Sequence, residues 1–200
     1  MWENHFNRVN TSIFSLIYQD LKWRFSLILQ ATQIKNYVYF DPEALPEQFA
    51  QSIPVLSARL VKDFTVGKWH LNTNDVVQYV PDSLPLRLPF IVLENSVFYE
   101  NYFFHKALLL RIGVDVYYNT SYYGYGYIPI TGQYYLENQE KLGNYPYIDP
   151  FVSFRIKQFR MFVRLENGGS GIVGNNYLYA VNYPMPDRVL RFGISWDFWN

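Results

Sequence analysis

The feature that most constrains the fold is an alternation of apolar and polar residues close to the C-terminus. From Leu190 to Phe198 every even position is a large apolar residue, and the odd positions from Arg191 to Asp197 are polar or small. A period of two is the signature of a β-strand, and a helix with 3.6 residues per turn does not sort residues in this way. This segment is therefore predicted to be a strand with one apolar and one polar face.

The same alternation recurs along the chain in segments of about 9–12 residues. Tilted strands that cross a bilayer have this length, whereas most strands of soluble proteins have about 5–6 residues. We count roughly nine strands, and the pattern is weakest at 8–19 and at 69–80, where Asp75 interrupts the apolar face. The clearest upstream segments are 21–31, 56–63, 108–118, 148–156 and 159–165.

The connections between these segments alternate in length. Short ones lie near 20–21, 66–68, 104–106 and 157–158, and long ones at about 35–53, 81–87, 119–146 and 167–187. Short turns on one side and long loops on the other are typical of outer-membrane barrels. The sequence thus predicts an all-β fold, an antiparallel up-and-down transmembrane β-barrel, in a single domain over 1–200.

Composition excludes several classes of protein. Lys+Arg and Asp+Glu balance at 17 each, so no basic excess indicates nucleic-acid binding, and the absence of Cys excludes disulfides and thiolate metal sites. Mean hydropathy is −0.13 and no stretch of about 18 apolar residues occurs, which excludes a transmembrane helix. A closed barrel is the remaining way for such a chain to span a membrane.

Membrane and soluble barrels both show this alternation. The apolar face points outward to lipid in a membrane barrel and inward to the core in a soluble barrel. Strand length, loop asymmetry and aromatic strand ends favour the membrane form, in which the charged face surrounds the lumen. Lumen charges set ion preference, or else pair across neighbouring strands and hold the barrel together. The residues predicted to line the lumen are Arg24, Arg59, Asp63, Glu94, Arg111, Asp115, Asp149, Arg155, Arg160, Arg164, Glu166, Arg191 and Asp197.

Aromatic residues make up 20% of the chain. Trp23, Trp69 and the C-terminal aromatics follow short turns or the last strand, which favours a girdle at one membrane interface; the alternative is an ordinary aromatic core. The loop 117–135 is rich in tyrosines that can stack on sugars or on a partner protein, or pack on one another as a plug or rim. The candidate binding residues in this surface loop are Tyr122, Tyr123, Tyr125 and Tyr127.

Motifs for chemistry are weak. The three His residues have no metal-ligand spacing, and no nucleophile elbow occurs. The glycine-rich segment 168–171 lacks the Lys and Ser or Thr that end a phosphate-binding loop. We therefore expect no catalytic residue, no metal and no cofactor.

The last strand resembles the C-terminal insertion signal of outer-membrane barrels, which the barrel-assembly machinery reads. The resembling residues are Phe192, Gly193, Ile194, Trp196, Phe198 and Trp199. Further segments resemble the putative porin family of Gram-negative outer membranes, and their order along the chain carries the resemblance. These are Gly67–Leu71, Leu86–Pro89, Tyr99–Asn101, Lys106–Leu109, Gly143–Tyr147, Tyr183–Arg188 and Phe192–Trp196.

The resemblance implies a passive channel in the bacterial outer membrane, without established catalytic residues. Expected partners are outer-membrane lipid, the barrel-assembly machinery, small polar solutes and a possible second copy in a homo-oligomer, with no nucleic acid. The start of the chain does not read as a signal peptide, so we expect that a signal peptide and N-terminal strands precede it. The alternatives are a non-conducting structural or adaptor barrel and a soluble glycan-binding β-protein.

Overall fold

The structure, a computed structural model, describes residues 4–174 and 177–198. Within these ranges every regular element is a strand, and no helix is long and apolar enough to cross a membrane. The strands are β1 (Asn10–Asp20), β2 (Phe25–Lys35), β3 (Tyr37–Phe40), β4 (Pro46–Phe49), β5 (Ile53–Val66), β6 (Trp69–Tyr79), β7 (Ile91–Phe103), β8 (Leu108–Asn119), β9 (Tyr122–Ile128), β10 (Gln133–Leu142), β11 (Tyr147–Ile156), β12 (Phe159–Glu166), β13 (Leu178–Ala180), β14 (Tyr183–Pro184) and β15 (Val189–Trp196).

Nine of the strands form one antiparallel sheet, in the order β1-β2-β5-β6-β7-β8-β11-β12-β15. Once the short strands are set aside, each strand of this main sheet pairs with the next one along the chain. The described part of the sheet is open, with β1 and β15 at its two edges. The prediction of an up-and-down antiparallel architecture with about nine long strands is confirmed.

The two ends of the main sheet differ, as the alternating connections predict. At one end the strands are joined by short turns, and Gly67 and Lys157 open the two tightest of these turns with φ of 63° and 52°. A positive φ at this position matches the twist of a two-residue hairpin, and glycine adopts it without steric cost. At the other end three small hairpins, β3–β4, β9–β10 and β13–β14, stand within the long connections.

Two details of the sequence prediction are corrected. The segment 21–31 is not strand throughout, because Leu21 to Arg24 form a turn and β2 begins only at Phe25. The Asp20 carboxylate accepts a hydrogen bond from the Trp23 amide at 2.9 Å, and Arg24 has a φ of 48°, so the alternation of apolar residues continues through a turn. The long connections are not plain loops, since three of the four contain a hairpin.

The register shows that one chemical face continues across the main sheet, because residues directly opposite one another in a ladder share a face. Phe192 lies opposite Val163, Val163 opposite Val152, Val152 opposite Ile112, and Ile112 opposite Tyr99. We call this side the apolar face and the other the charged face. The apolar face also carries Leu27, Leu29, Leu56, Leu60, Leu71, Val97, Val114, Phe154, Met161, Leu190 and Ile194.

The buried apolar side chains of the molecule lie mostly beneath the long connections rather than on the faces of the main sheet. Apart from Phe98, the buried apolar side chains lie near the long-connection ends of the strands or in the hairpins. Much of the apolar face is uncovered: Phe192 is 68% exposed and Phe14 is 74% exposed. The buried apolar residues are Ile53, Val80, Phe98, Leu136, Leu142, Tyr145, Tyr177, Ala180 and Val181.

Candidate functional site

The charged face of the main sheet is concave. One cavity of about 520 Å³ on this face is lined by side chains from six consecutive strands, from Asp63 on β5 to Arg164 on β12. Six strands in a flat sheet extend over about 24 Å, which is too wide for one such cavity. The sheet therefore curls toward its charged side.

Most of the residues predicted to line a lumen lie on this concave face. Arg24 lies in the β1–β2 turn and Asp197 follows β15, and both reach the charged face through ion pairs. Glu100 also lies on it, opposite Arg111, and was missed because the alternation of β7 is irregular. The predicted residues that the strand register places there are Arg59, Asp63, Glu94, Arg111, Asp115, Asp149, Arg155, Arg160, Arg164, Glu166 and Arg191.

Four ion pairs join neighbouring parts of this face. The guanidinium–carboxylate distances are 2.6 Å for Arg24–Asp63, 2.9 Å for Arg191–Glu166 and 3.5 Å for Arg160–Asp197, and the fourth pair is Arg111–Glu100. The arginine side chains are half exposed or more, so water weakens each pair to about 0–1 kcal/mol. These pairs orient the charges and contribute little to the free energy of unfolding.

Arg164 lies at the centre of the face and links strands that are not neighbours. Its guanidinium is 2.6 Å from the Asp115 carboxylate, across the intervening β11, and 3.9 Å from the Asp149 carboxylate on β11 itself. Asp115 also accepts a hydrogen bond from the Ser96 hydroxyl at 2.6 Å. This contact joins β12 to β8, which are two strands apart in the sheet.

A second set of hydrogen bonds lies on the same face toward β5. The Arg59 guanidinium donates to the Asn74 side-chain carbonyl at 2.7 Å, and the Asn74 amide donates to the Glu94 carboxylate at 2.7 Å. Arg155 differs from these residues: among residues 4–174 and 177–198 no carboxylate lies within 4.0 Å of it, and it faces Arg160 in the ladder. The short-turn end of the face thus has a positive bias.

A second cavity, of about 510 Å³, lies where the charged face meets the long connections. Asn167, which is fully buried, fixes its wall: its backbone amide donates to Asp149 at 2.9 Å and its side-chain amide donates to the Pro186 carbonyl at 3.1 Å. The Tyr145 hydroxyl donates to the Asn167 side chain at 2.6 Å, and burial raises the pKa of Tyr145. Asn167 and Pro186, which lie near the two ends of the connection after β12, are therefore fixed against the site.

The four tyrosines expected in a surface loop lie on β9, and each is partly buried against a neighbour. Tyr123 lies under two cations, with the Lys141 ammonium 4.9 Å and the Arg87 guanidinium 5.9 Å from the ring centre. Tyr125 accepts a hydrogen bond from the Arg87 amide at 2.9 Å, and its burial raises its pKa to about 12. Tyr127 packs on Tyr134 and Tyr183, and Tyr122 lines the second cavity.

The last strand places the residues that resemble an insertion signal on both faces. Phe192, Ile194 and Trp196 lie on the apolar face, Phe198 stacks on Trp196 with ring centres 5.5 Å apart, and Trp199 lies outside the described residues. Gly193 lies on the charged face beneath the Phe162 ring, where an added Cβ atom would be 2.4 Å from a ring carbon. Any larger residue at this position would therefore require the Phe162 ring to move.

Aromatic rings are concentrated on the apolar face near the short-turn end. Trp69 packs edge-on against Tyr99 at 5.5 Å, and Phe159 packs edge-on against Trp196 at 6.0 Å. We call this band the aromatic rim; it also includes Tyr18, Phe25, Phe64, Phe103 and Phe154. Within the described ranges no three His, Asp or Glu side chains are close enough to hold a metal ion.

Comparison with known proteins adds one finding to this geometry. No curated protein and no solved structure matches the chain. A protein family described as putative porin matches it over residues 1–200, which is the whole chain. The chain therefore belongs to the putative porin family.

Proposed function

We propose that this protein forms an outer-membrane channel for the passive diffusion of small polar solutes or ions. In this proposal the apolar face contacts lipid and the charged face lines the lumen. The observation that carries it is the opposite chemistry of the two faces: large apolar side chains cover the exposed convex side, and ionic networks occupy the concave side.

The exposed apolar face is costly in water. Leu190, Phe192 and Ile194 on β15 are all more than 60% exposed, as is Phe14 on β1. Soluble monomers rarely expose continuous apolar patches larger than a few hundred Å². Lipid removes this cost, because acyl chains solvate apolar side chains without ordering water.

The height of the apolar face fits a bilayer. Trp69 and Tyr79 lie on this face at the two ends of β6, ten residues apart. Ten residues of strand span about 33 Å, and a tilt of about 40° reduces this to a height of about 25 Å. That height equals the apolar band of outer-membrane barrels, and the aromatic rim corresponds to one of its interfaces.

Charges of both signs on the concave face suit a water-filled lumen with modest ion preference. Asp115, Asp149 and Arg164 form its centre, and the ion pairs hold these side chains against the wall. Opposite charges placed across a lumen create a transverse field that acts on passing ions and dipolar solutes. None of these groups is arranged as a nucleophile with its base, so we propose a channel rather than an enzyme.

The deciding experiment is single-channel conductance of the full-length protein refolded into a planar bilayer. Stable ohmic steps are expected, and Arg111→Gln and Arg191→Gln are expected to move the reversal potential toward cation preference. Val97→Leu, on the apolar face, is the control and is expected to leave the reversal potential unchanged. An inserted, folded protein without conductance contradicts the channel proposal.

A second candidate is a structural or adaptor barrel in an envelope complex. It is favoured by the three hairpins at the long-connection end, where Arg87 joins the loop before β7 to Asn138 on β10 at 2.8 Å. Insertion without conductance would support it. Partition into the aqueous phase of a detergent extraction would support instead a soluble glycan-binding protein.

A further inference from the structure

The cavity at the long-connection end combines accessible aromatic rings with fixed polar groups. Its volume of about 510 Å³ lies within the range of small-molecule sites. The strands supply its floor, and the connections after β8 and β12 supply its walls. It therefore lies at the mouth of the concave face, where a solute that enters from this end first meets the protein.

The rings of this cavity form two layers. Tyr145 and Tyr177 are buried, with ring centres 5.1 Å apart, and form the layer behind the wall. Tyr117 and Tyr147 lie directly opposite one another in the β8–β11 ladder and so project into the cavity from the same face. Tyr117 is 44% exposed and Tyr179, on β13, is 65% exposed, so their rings are available to a ligand.

The polar groups of the cavity are already oriented. Glu166 and Arg191 form an ion pair at 2.9 Å, and Asp149 is held by the Asn167 amide at 2.9 Å. Each carboxylate keeps lone pairs that can accept hydrogen bonds from hydroxyl groups, and the guanidinium can donate to hydroxyl or ring oxygens. Ligand binding at such a site requires little reorganisation.

The charge of the cavity selects among ligands that stack on tyrosine. Two carboxylates, Asp149 and Glu166, face one guanidinium, Arg191. Arg164, 3.9 Å from Asp149, balances the second carboxylate, so the cavity holds no excess of positive charge that would favour phosphates or nucleotides. Uncharged pyranoses have an apolar face that packs on an aromatic ring and a rim of hydroxyl groups that bond carboxylates and guanidinium.

We propose that this cavity binds uncharged oligosaccharides, with Tyr117, Tyr147 and Tyr179 as stacking platforms and Asp149, Glu166 and Arg191 as hydroxyl partners. This inference rests on the proposed channel function and names the class of solute that the channel admits. The cavity would then be a weak binding site at the mouth of the channel, where it raises the local concentration of sugar.

The test is a titration of the full-length protein, refolded in detergent micelles, with maltotriose and with the anionic trisaccharide trigalacturonate, followed by intrinsic fluorescence and calorimetry. Maltotriose is expected to bind with a Kd of about 1 mM or tighter. Tyr147→Ala and Tyr179→Ala are each expected to weaken binding about tenfold, whereas Tyr147→Phe and Tyr179→Phe keep the ring and the affinity. The matched control is Tyr102→Ala, on the same face at the short-turn end and 49% exposed, which is expected to leave affinity unchanged.

Equal or tighter binding of trigalacturonate, or equal loss with Tyr102→Ala, overturns the assignment of the cavity. Conductance of the same preparation separates the two proposals. Ohmic steps without maltotriose binding would refute the oligosaccharide site and leave the channel standing. Absence of both insertion and conductance would refute the channel.

Discussion

Arginine substitutions at Val97 and Ser96 test the assignment of the two faces at neighbouring positions. Val97 is the central residue of β7, six residues from either end, and lies on the apolar face between Leu71 and Val114. Ser96 precedes it and lies on the charged face between Asn72 and Asp115. The two changes add the same side chain at almost the same height.

The expected costs differ because the two positions meet different surroundings. An arginine that faces lipid at the midplane of a barrel costs about 2–4 kcal/mol, which is about a 30- to 1000-fold change in the unfolding equilibrium. Ser96→Arg loses one hydrogen bond to Asp115, about 0.5–1.5 kcal/mol, and places a cation beside that carboxylate in the cavity of the concave face. We expect its net effect to stay within about 1 kcal/mol.

The assay is urea unfolding of the protein folded in phosphatidylcholine vesicles, followed by tryptophan fluorescence, with heat-dependent gel mobility as an independent measure of folding. Val97→Leu enlarges the side chain at position 97 without adding a charge and serves as the control. It is expected to change the free energy of unfolding by less than about 1.5 kcal/mol. Equal destabilisation by Val97→Arg and Ser96→Arg, or greater destabilisation by Ser96→Arg, would refute the assignment of lipid and lumen faces.

Removal of Phe198 to Asn200 is expected to block membrane assembly, because the aromatic end of the last strand is lost; heat-resistant folding of the truncated protein would count against the insertion-signal interpretation. Asn167→Ala leaves buried partners unsatisfied, at about 1–3 kcal/mol each, so we expect protease cleavage within 167–187 while the gel mobility of the folded sheet is kept. Cleavage equal to that of the unmodified protein would refute this. Tyr125→Phe should remove one tyrosinate step near pH 12 from a titration at 295 nm. The raised pKa means that the folded state favours the protonated phenol, so its contribution to the free energy of unfolding is complete below about pH 10. That contribution is lost as the pH rises through about 12. A titration that the substitution leaves unchanged would contradict the buried position of Tyr125.

Local alternation was sufficient to predict the faces of the most regular long strands. In β8, β12 and β15 the apolar residues that the sequence predicted to share a face do so in the structure, because a period of two determines which side of a pleated sheet each side chain takes. A short connection was predicted near 20–21, but its extent to Arg24 was not, because Leu21 and Trp23 continue the alternation and a turn depends on dihedral angles that polarity does not encode.

The hairpins and the central ion pair depend on contacts that no local pattern contains. The strands β9 and β10 carry tyrosines on both sides and pack against neighbouring connections, so they lack the two-sided polarity of the main sheet. The Arg164–Asp115 pair joins residues 49 positions apart on strands that are not adjacent. Its prediction requires the strand order and the curvature of the sheet.

Lys62 is a cation on the apolar face, and its surroundings show how such a residue is tolerated there. It lies opposite Phe25 and Thr73, within a face that is otherwise largely apolar. Its ammonium lies 5.7 Å from the centre of the Trp23 ring and 5.2 Å from that of Phe64, and donates to the Trp23 carbonyl. The long stem thus carries the charge to the aromatic rim, where water and headgroups are within reach in the proposed placement.

Asp75 is the harder exception, because its short side chain cannot reach the rim. Its carboxylate accepts hydrogen bonds from the Thr73 hydroxyl at 2.6 Å and from the Asn95 amide at 3.0 Å, and Thr73 is itself buried. Both donors lie on the apolar face, at positions where the alternation alone would predict apolar residues. The departures at 73, 75 and 95 therefore belong together: the two polar neighbours supply the hydrogen bonds that a carboxylate needs away from water. At these three positions the apolar face is interrupted by an internally satisfied cluster, which keeps its neighbours compatible with lipid in the proposed placement.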